Sequence, residues 1–251
     1  MTTDLTLARA MLLRVLTARI TTHQHLRKDI CWVDDLEGML NRPNTISRAG
    51  VHYLPGYYYP EVIQPGLDIV PWVEVRPTRK ECFMSLTPRT YSYGNKGTGD
   101  QEYHSVEFVP EIRRLMIVLN TELGAEFNVC FLNYYEDEKN HLGWHADDFV
   151  GMREDQPIAV VSFGAEREIW VKPKKVPCWV CVEHPGAVCP ACKGSGQLIN
   201  KGTIPPDQRF LLQNGSLFIM PAGYQDTHLH RIPKHDRPCG PRISLTFRSF
   251  K

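Results

Sequence analysis

Downstream of residue 124 the chain is divided into short apolar runs by Gly, Pro, Asn and Asp, and this punctuation limits the available folds more than any single residue. The runs are Phe127–Tyr135, Pro157–Phe163, Glu168–Val171, Phe210–Gln213, Leu217–Met220 and Arg242–Phe250. Each is as long as a strand and is bounded by turn-forming residues. One clear helix precedes them over 110–123. Pro110 opens it, Glu111 suits its positive N-terminal end, Ile112, Leu115, Met116, Leu119 and Leu123 form one stripe, and Gly124 closes it. A helix followed by many short strands predicts a mainly β (α+β) domain, a sandwich or barrel with helical backing.

A chain of 251 residues can be a single main domain with additions. Residues 4–20 read as a basic amphipathic helix and 34–50 as a connection, which places a domain boundary near residue 50. Arg9 and Arg14 interrupt the N-terminal apolar stretch and argue against a secretory signal; with Arg19 they also fit an organellar transit peptide, although a surface helix is the commoner explanation. From Val51, Pro55, Gly56, Pro60, Pro65, Gly66 and Pro71 exclude long helices, and 88–100 reads as a loop. Hydrophobic content of 42% and charged content of 23% exclude disorder and a membrane span. A net charge of +1 means that any nucleic-acid partner must be met by a local patch.

The C-terminal strand carries two faces. Ile243, Leu245 and Phe247 alternate with Arg242, Ser244, Thr246 and Arg248. Facing solvent, the polar side would be an ordinary edge; inside a barrel, its arginines can bind a diacid through bidentate bonds. Arg242 and Arg248 stand about 20 Å apart along an extended strand, so both reach one small diacid only by folding inward. His145-Ala-Asp147 puts an imidazole and a carboxylate on one side of an extended segment. A second histidine would complete the two-His, one-carboxylate set that suits Fe(II) with three open positions, zinc being the competing metal.

Of eight cysteines, Cys178, Cys181, Cys189 and Cys192 form a C-x2-C-x7-C-x2-C pattern. That spacing fits structural zinc in a knuckle over about 176–200, and points to a reducing, intracellular compartment, cytoplasmic or nuclear. Lys172, Lys174, Lys175, Lys193 and Lys201 surround the pattern as a local basic patch.

Read in order, Asn133-Tyr-Tyr135, Gly143-Trp-His-Ala-Asp-Asp148, Val161-Ser-Phe-Gly-Ala-Glu-Arg167, His228-Leu-His-Arg-Ile-Pro233 and Arg242-Ile-Ser-Leu-Thr-Phe-Arg248 resemble the AlkB-like Fe(II)/2-oxoglutarate-dependent dioxygenases over 51–251. The resemblance implies a double-stranded β-helix (jelly roll), in which the cysteine pattern reads as a small zinc-knuckle insertion, and iron on His145, Asp147 and His230, with His228 as the competing distal ligand. It implies 2-oxoglutarate contacts from Asn133, Tyr135, Arg242 and Arg248. Ser244 departs from the asparagine that some members carry. Tyr93 and Asp148 resemble base contacts of the double-strand DNA repair branch, and Arg167 a residue near the substrate pocket; packing, a solvated turn and a structural ion pair are the alternatives. The implied reaction is oxidative demethylation of an N-alkylated base, with decarboxylation of 2-oxoglutarate and release of formaldehyde, on DNA and by a monomer. A 2-oxoglutarate oxygenase acting on a protein, lipid or small molecule is the alternative.

Overall fold

The computed structural model describes residues 44–76, 78–93, 101–147, 150–183 and 189–251. The helix expected over 4–20 lies outside them. The strands are β1 (Ile46–Arg48), β2 (Val51–Leu54), β3 (Val73–Arg76), β4 (Arg79–Ser85), β5 (Thr90–Tyr93), β6 (Gln101–His104), β7 (Val129–Tyr135), β8 (Leu142–His145), β9 (Ile158–Gly164), β10 (Arg167–Pro173), β11 (Lys175–Pro177), β12 (Gln197–Ile199), β13 (Arg209–Leu212), β14 (Ser216–Met220), β15 (His228–Ile232) and β16 (Arg242–Arg248). An eight-stranded sheet runs β1-β2-β14-β9-β16-β7-β4-β3, and a four-stranded one runs β13-β10-β15-β8. Two ribbons, β11-β12 and β5-β6, form separate two-stranded sheets, the second packed on the core through Tyr91 and Tyr103.

Alternation along the strands decides where the core lies. Val129, Phe131, Val160 and Phe218 of the large sheet share one apolar cluster with Ile169, Val171, Phe210, Leu212 and Ile232 of the small one. Inward and outward residues exchange at every step of a strand, so β16 turns Arg242, Ser244, Thr246 and Arg248 to the same side as this cluster. Its other side holds Leu245 and Phe247, both fully buried. The polar face is therefore interior, where buried polar groups need partners.

Four α-helices accompany the strands among the described residues: α1 (Pro60–Leu67), α2 (Pro110–Leu123), α3 (Trp179–Glu183) and α4 (Tyr224–Thr227). The stripe of α2 is buried as its spacing predicts, and Gly124 caps it in the left-handed region at φ 58°. The six strand-like runs are all strands, displaced by at most two residues at their ends. Two readings need correction. The boundary near residue 50 falls inside the β1-β2 hairpin, whose second strand pairs with β14, so the sheet already includes residues before 51. Within 88–100, Thr90–Tyr93 is a strand paired with Gln101–His104. No described helix is long and apolar enough to cross a membrane.

Candidate metal centre

Three side chains from two strands and a strand exit converge at one end of the small sheet. His145 ends β8, Asp147 follows two residues later, and His230 lies within β15 directly in register with His145. One ligand atom from each lies within 4.8 Å of the others. His145 Nε2 is 3.6 Å from Asp147 Oδ1, and its Nδ1 lies 2.8 Å from the Gly143 carbonyl oxygen. The carbonyl accepts the Nδ1 proton, which leaves the Nε2 lone pair directed at the carboxylate.

The electrostatics prepare this cluster for a cation. Burial alone would raise the Asp147 carboxyl, but the Arg248 guanidinium and the two imidazoles hold it down to about 2. Burial lowers His145, and burial together with His145 lowers His230 to about 3, so both rings are neutral at pH 7. Asp147 is 1% exposed and His230 6%. Among the described residues, Asp147 Oδ1 and His230 Nδ1 nevertheless have no hydrogen-bond partner. Buried acceptors without donors are costly, and a metal ion among them removes that cost. The donor set suits Fe(II).

The two arginines of β16 divide their work. Arg248 donates through Nε at 3.2 Å and Nη2 at 2.8 Å to Asp147 Oδ2, leaving Oδ1 to face the histidines. Arg242 donates Nη2 to Ser162 Oγ at 2.9 Å, while its Nε and Nη1 have no partner among the described residues although the residue is fully buried. Burial lowers its pKa to about 10, so it remains charged at neutral pH. Among the described residues no carboxylate forms an ion pair with it. The structure thus holds a cation prepared for an acidic ligand. Of the two arginines expected to reach one diacid, Arg248 also holds the metal-site carboxylate.

Asn133 and Tyr135 stand beside Arg242 in the sheet, Tyr135 opposite Arg242 and Asn133 opposite Ser244. Arg79 Nε donates to Asn133 Oδ1 at 2.7 Å, so the Asn133 amide nitrogen is the group able to donate to a carboxylate. Arg79 is ion-paired with Glu81, and the Tyr103 hydroxyl donates to Glu81. Sequence reasoning missed Arg79, Glu81, Tyr103 and Gln225. The Gln225 Oε1 accepts the Asp147 backbone N–H at 2.9 Å and fixes the turn that presents the carboxylate. No local motif marks these four; register and packing bring them to the site.

His228, the competing ligand, stacks on Tyr224 at 4.2 Å between centroids and is not in the cluster. Arg167 is fully buried and donates to the carbonyls of Asp137, Asn140 and Pro233, a use different from the substrate contact that the resemblance implied. Tyr93 ends β5, but its side chain lies outside the described residues, as does Asp148.

A second cluster joins Cys178, Cys181, Cys189 and Cys192, all four sulfurs within 4.8 Å of one another. Cys178 and Cys189 sulfurs are 3.6 Å apart and those of Cys181 and Cys192 3.3 Å apart, too far for a disulfide. Four thiolates at about 2.3 Å from one zinc have edges of about 3.8 Å, close to these separations.

The sequence profile described as the 2OG-Fe(II) oxygenase superfamily matches residues 72–248. Among curated proteins, the "DNA oxidative demethylase ALKBH2" of Arabidopsis thaliana is 31% identical over 71% of this chain and 58% of its own length. The mouse (Mus musculus) "Alpha-ketoglutarate-dependent dioxygenase alkB homolog 3" is 33% identical over 72% of this chain and 57% of its own. The human (Homo sapiens) "DNA oxidative demethylase ALKBH2" is 27% identical over 57% of this chain and 47% of its own. The chain thus spans about half the length of the curated relatives it matches. The matched span contains His145, Asp147, His230, Arg242 and Arg248, and on that match the chain belongs to the 2OG-Fe(II) oxygenase superfamily.

Proposed function

We propose that this chain is an Fe(II)- and 2-oxoglutarate-dependent oxidative demethylase of N-alkylated nucleobases, with DNA as its substrate. One observation carries the reading: a buried His-Asp-His cluster with unsatisfied acceptors lies on the same side of the sheet pair as a buried guanidinium with unsatisfied donors. The names of the relatives supply the substrate class. The two sheets are read as a double-stranded β-helix, and the four-cysteine insertion as a structural zinc knuckle. We read the protein as intracellular and monomeric.

His145, Asp147 and His230 would hold the iron, and Arg242 with Tyr135 and Asn133 would hold the distal carboxylate of 2-oxoglutarate. Iron and 2-oxoglutarate bound there supply the oxidising chemistry: O2 and 2-oxoglutarate are consumed, CO2 and succinate are formed, and a methyl group on a base nitrogen gains a hydroxyl. The resulting hemiaminal loses formaldehyde and returns the unmodified base. Arg248 keeps Asp147 ionised and oriented, and Gln225 fixes its backbone. For a methyl group inside a duplex, the base must leave the stack to reach this pocket. Tyr93 and Asp148 are the proposed base contacts.

The test is incubation with Fe(II), ascorbate, 2-oxoglutarate and oligonucleotides carrying 1-methyladenine, as DNA duplex, DNA single strand and RNA, with succinate, formaldehyde and repaired base measured by mass spectrometry. Repair by the wild type and none by Asp147→Ala supports the reading. Succinate formed without repair of any of these substrates would instead assign the oxygenase to a protein, lipid or small molecule.

A further inference from the structure

The catalytic site does not account for the four-cysteine insertion. It springs from the C-terminal end of β10, the end at which Val171 stands in register with His230 and Pro173 with His228. From Val171 to Lys175, where the insertion's ribbon begins, is about 13 Å along an extended chain. The insertion therefore leaves the small sheet at the same end as the His-Asp-His cluster. Its own core is small: Cys178, Cys189 and Cys192 with Val180, Cys181 and Leu198 packed against them. Against this core the insertion leaves three large apolar side chains in solvent, Trp179 at 63% exposed, Val182 at 67% and Ile199 at 72%. Trp179 and Val182 are three apart on α3 and share a face of that helix turn.

Charge says what meets this face. Residues 172–202 contain five lysines against the single acid Glu183, in a chain whose total is +1. Lys175, Lys193 and Lys201 are exposed. The neighbouring outer face of the small sheet differs, because Lys172 and Arg231 stack on Trp144 and Arg209 and Arg231 on Trp170, so its cations are already engaged by rings. An exposed indole in the same insertion as the exposed Lys175, Lys193 and Lys201 is the combination that binds nucleic acid: an aromatic face stacks on a base, and ammonium groups displace counterions from phosphates.

We propose that the four-cysteine insertion is a metal-organised nucleic-acid contact, with Trp179 stacking on a base and Lys193 and Lys201 on phosphates flanking the nucleotide presented to the iron. It rests on the demethylase reading and adds to it a second, non-catalytic point of attachment. Zinc on the four cysteines fixes the positions of α3 and the β11-β12 ribbon and thereby the spacing of these three side chains.

The test compares wild type with Trp179→Ala and with Lys193→Ala/Lys201→Ala, all surface substitutions, each variant checked for one zinc per chain. Fluorescence anisotropy measures binding to a fluorescein-labelled oligonucleotide carrying 1-methyladenine, as duplex and as single strand, over a salt series. Trp179→Ala should weaken binding about tenfold. The double lysine variant should reduce the slope of log K against log salt by about 1.4 to 1.8. Turnover of free 1-methyladenosine monophosphate should be unchanged in both. Wild-type repair and binding matched within twofold by both variants would overturn this proposal and leave the demethylase reading intact. A wild type that neither binds nor repairs any oligonucleotide would remove both. Binding to anionic phospholipid vesicles that is lost in the variants while oligonucleotide affinity is kept would reassign the face to a membrane surface.

Discussion

Arg242 and Arg248 look interchangeable in the sequence, and what separates them is the partner each meets. Arg248 reaches the metal-site carboxylate, whereas Arg242 is left with unmatched donors beside Tyr135. Arg242→Met should therefore raise the KM for 2-oxoglutarate at least tenfold with little change in iron affinity. Arg248→Met should lower iron affinity instead, because Asp147 loses the charge that holds its pKa near 2. Iron titration and 2-oxoglutarate kinetics on the two variants read these effects separately. His230 supplies a pH dependence. Burial and the neighbouring His145 depress its pKa to about 3 from an ordinary 6.5, so below pH 6.5 the unfolded chain binds a proton that the native site refuses. Metal-free protein should lose stability as pH falls from 6.5 toward 3, and thermal melts should show a smaller loss in His230→Gln over the same window.

Strands and their register explain which parts of the site could be read in advance. The alternation in 242–248 made a polar face visible, and the i, i+2 spacing made His145 and Asp147 neighbours. Arg79 and Glu81 were not legible, because nothing local in Arg79–Ser85 distinguishes an interior ion pair from an exposed one; pairing with β7 carries both inward. The helix over 60–67 was hidden by its prolines, of which Pro60 sits harmlessly at the first turn and Pro65 lies inside. Gly164 shows how closely register is tied to the site. It stands opposite Arg242 at φ 84°, where a Cβ would collide with the Pro241 carbonyl oxygen. Gly164→Ala should displace the start of β16, costing about 1 to 3 kcal/mol in stability and raising the KM for 2-oxoglutarate. Denaturant unfolding with co-substrate kinetics would check both.

At the scale of the whole molecule, two sheets enclose one interior that is apolar except for a polar seam, and the metal centre and Arg242, which has no carboxylate partner among the described residues, both belong to that seam. The order of the motifs along the chain made this arrangement legible, while Asp148 and the side chain of Tyr93 lie outside the described residues. The proposed chemistry depends on one spatial arrangement, iron on His145, Asp147 and His230 with 2-oxoglutarate anchored by Arg242. Anomalous diffraction at the iron edge from crystals grown anaerobically with Fe(II) and 2-oxoglutarate tests it directly. One iron peak is expected among His145, Asp147 and His230, with the distal carboxylate of 2-oxoglutarate within hydrogen-bonding distance of Arg242. Iron elsewhere, or a distal carboxylate bound to Arg248 or Arg167 with Arg242 left unpaired, would contradict it.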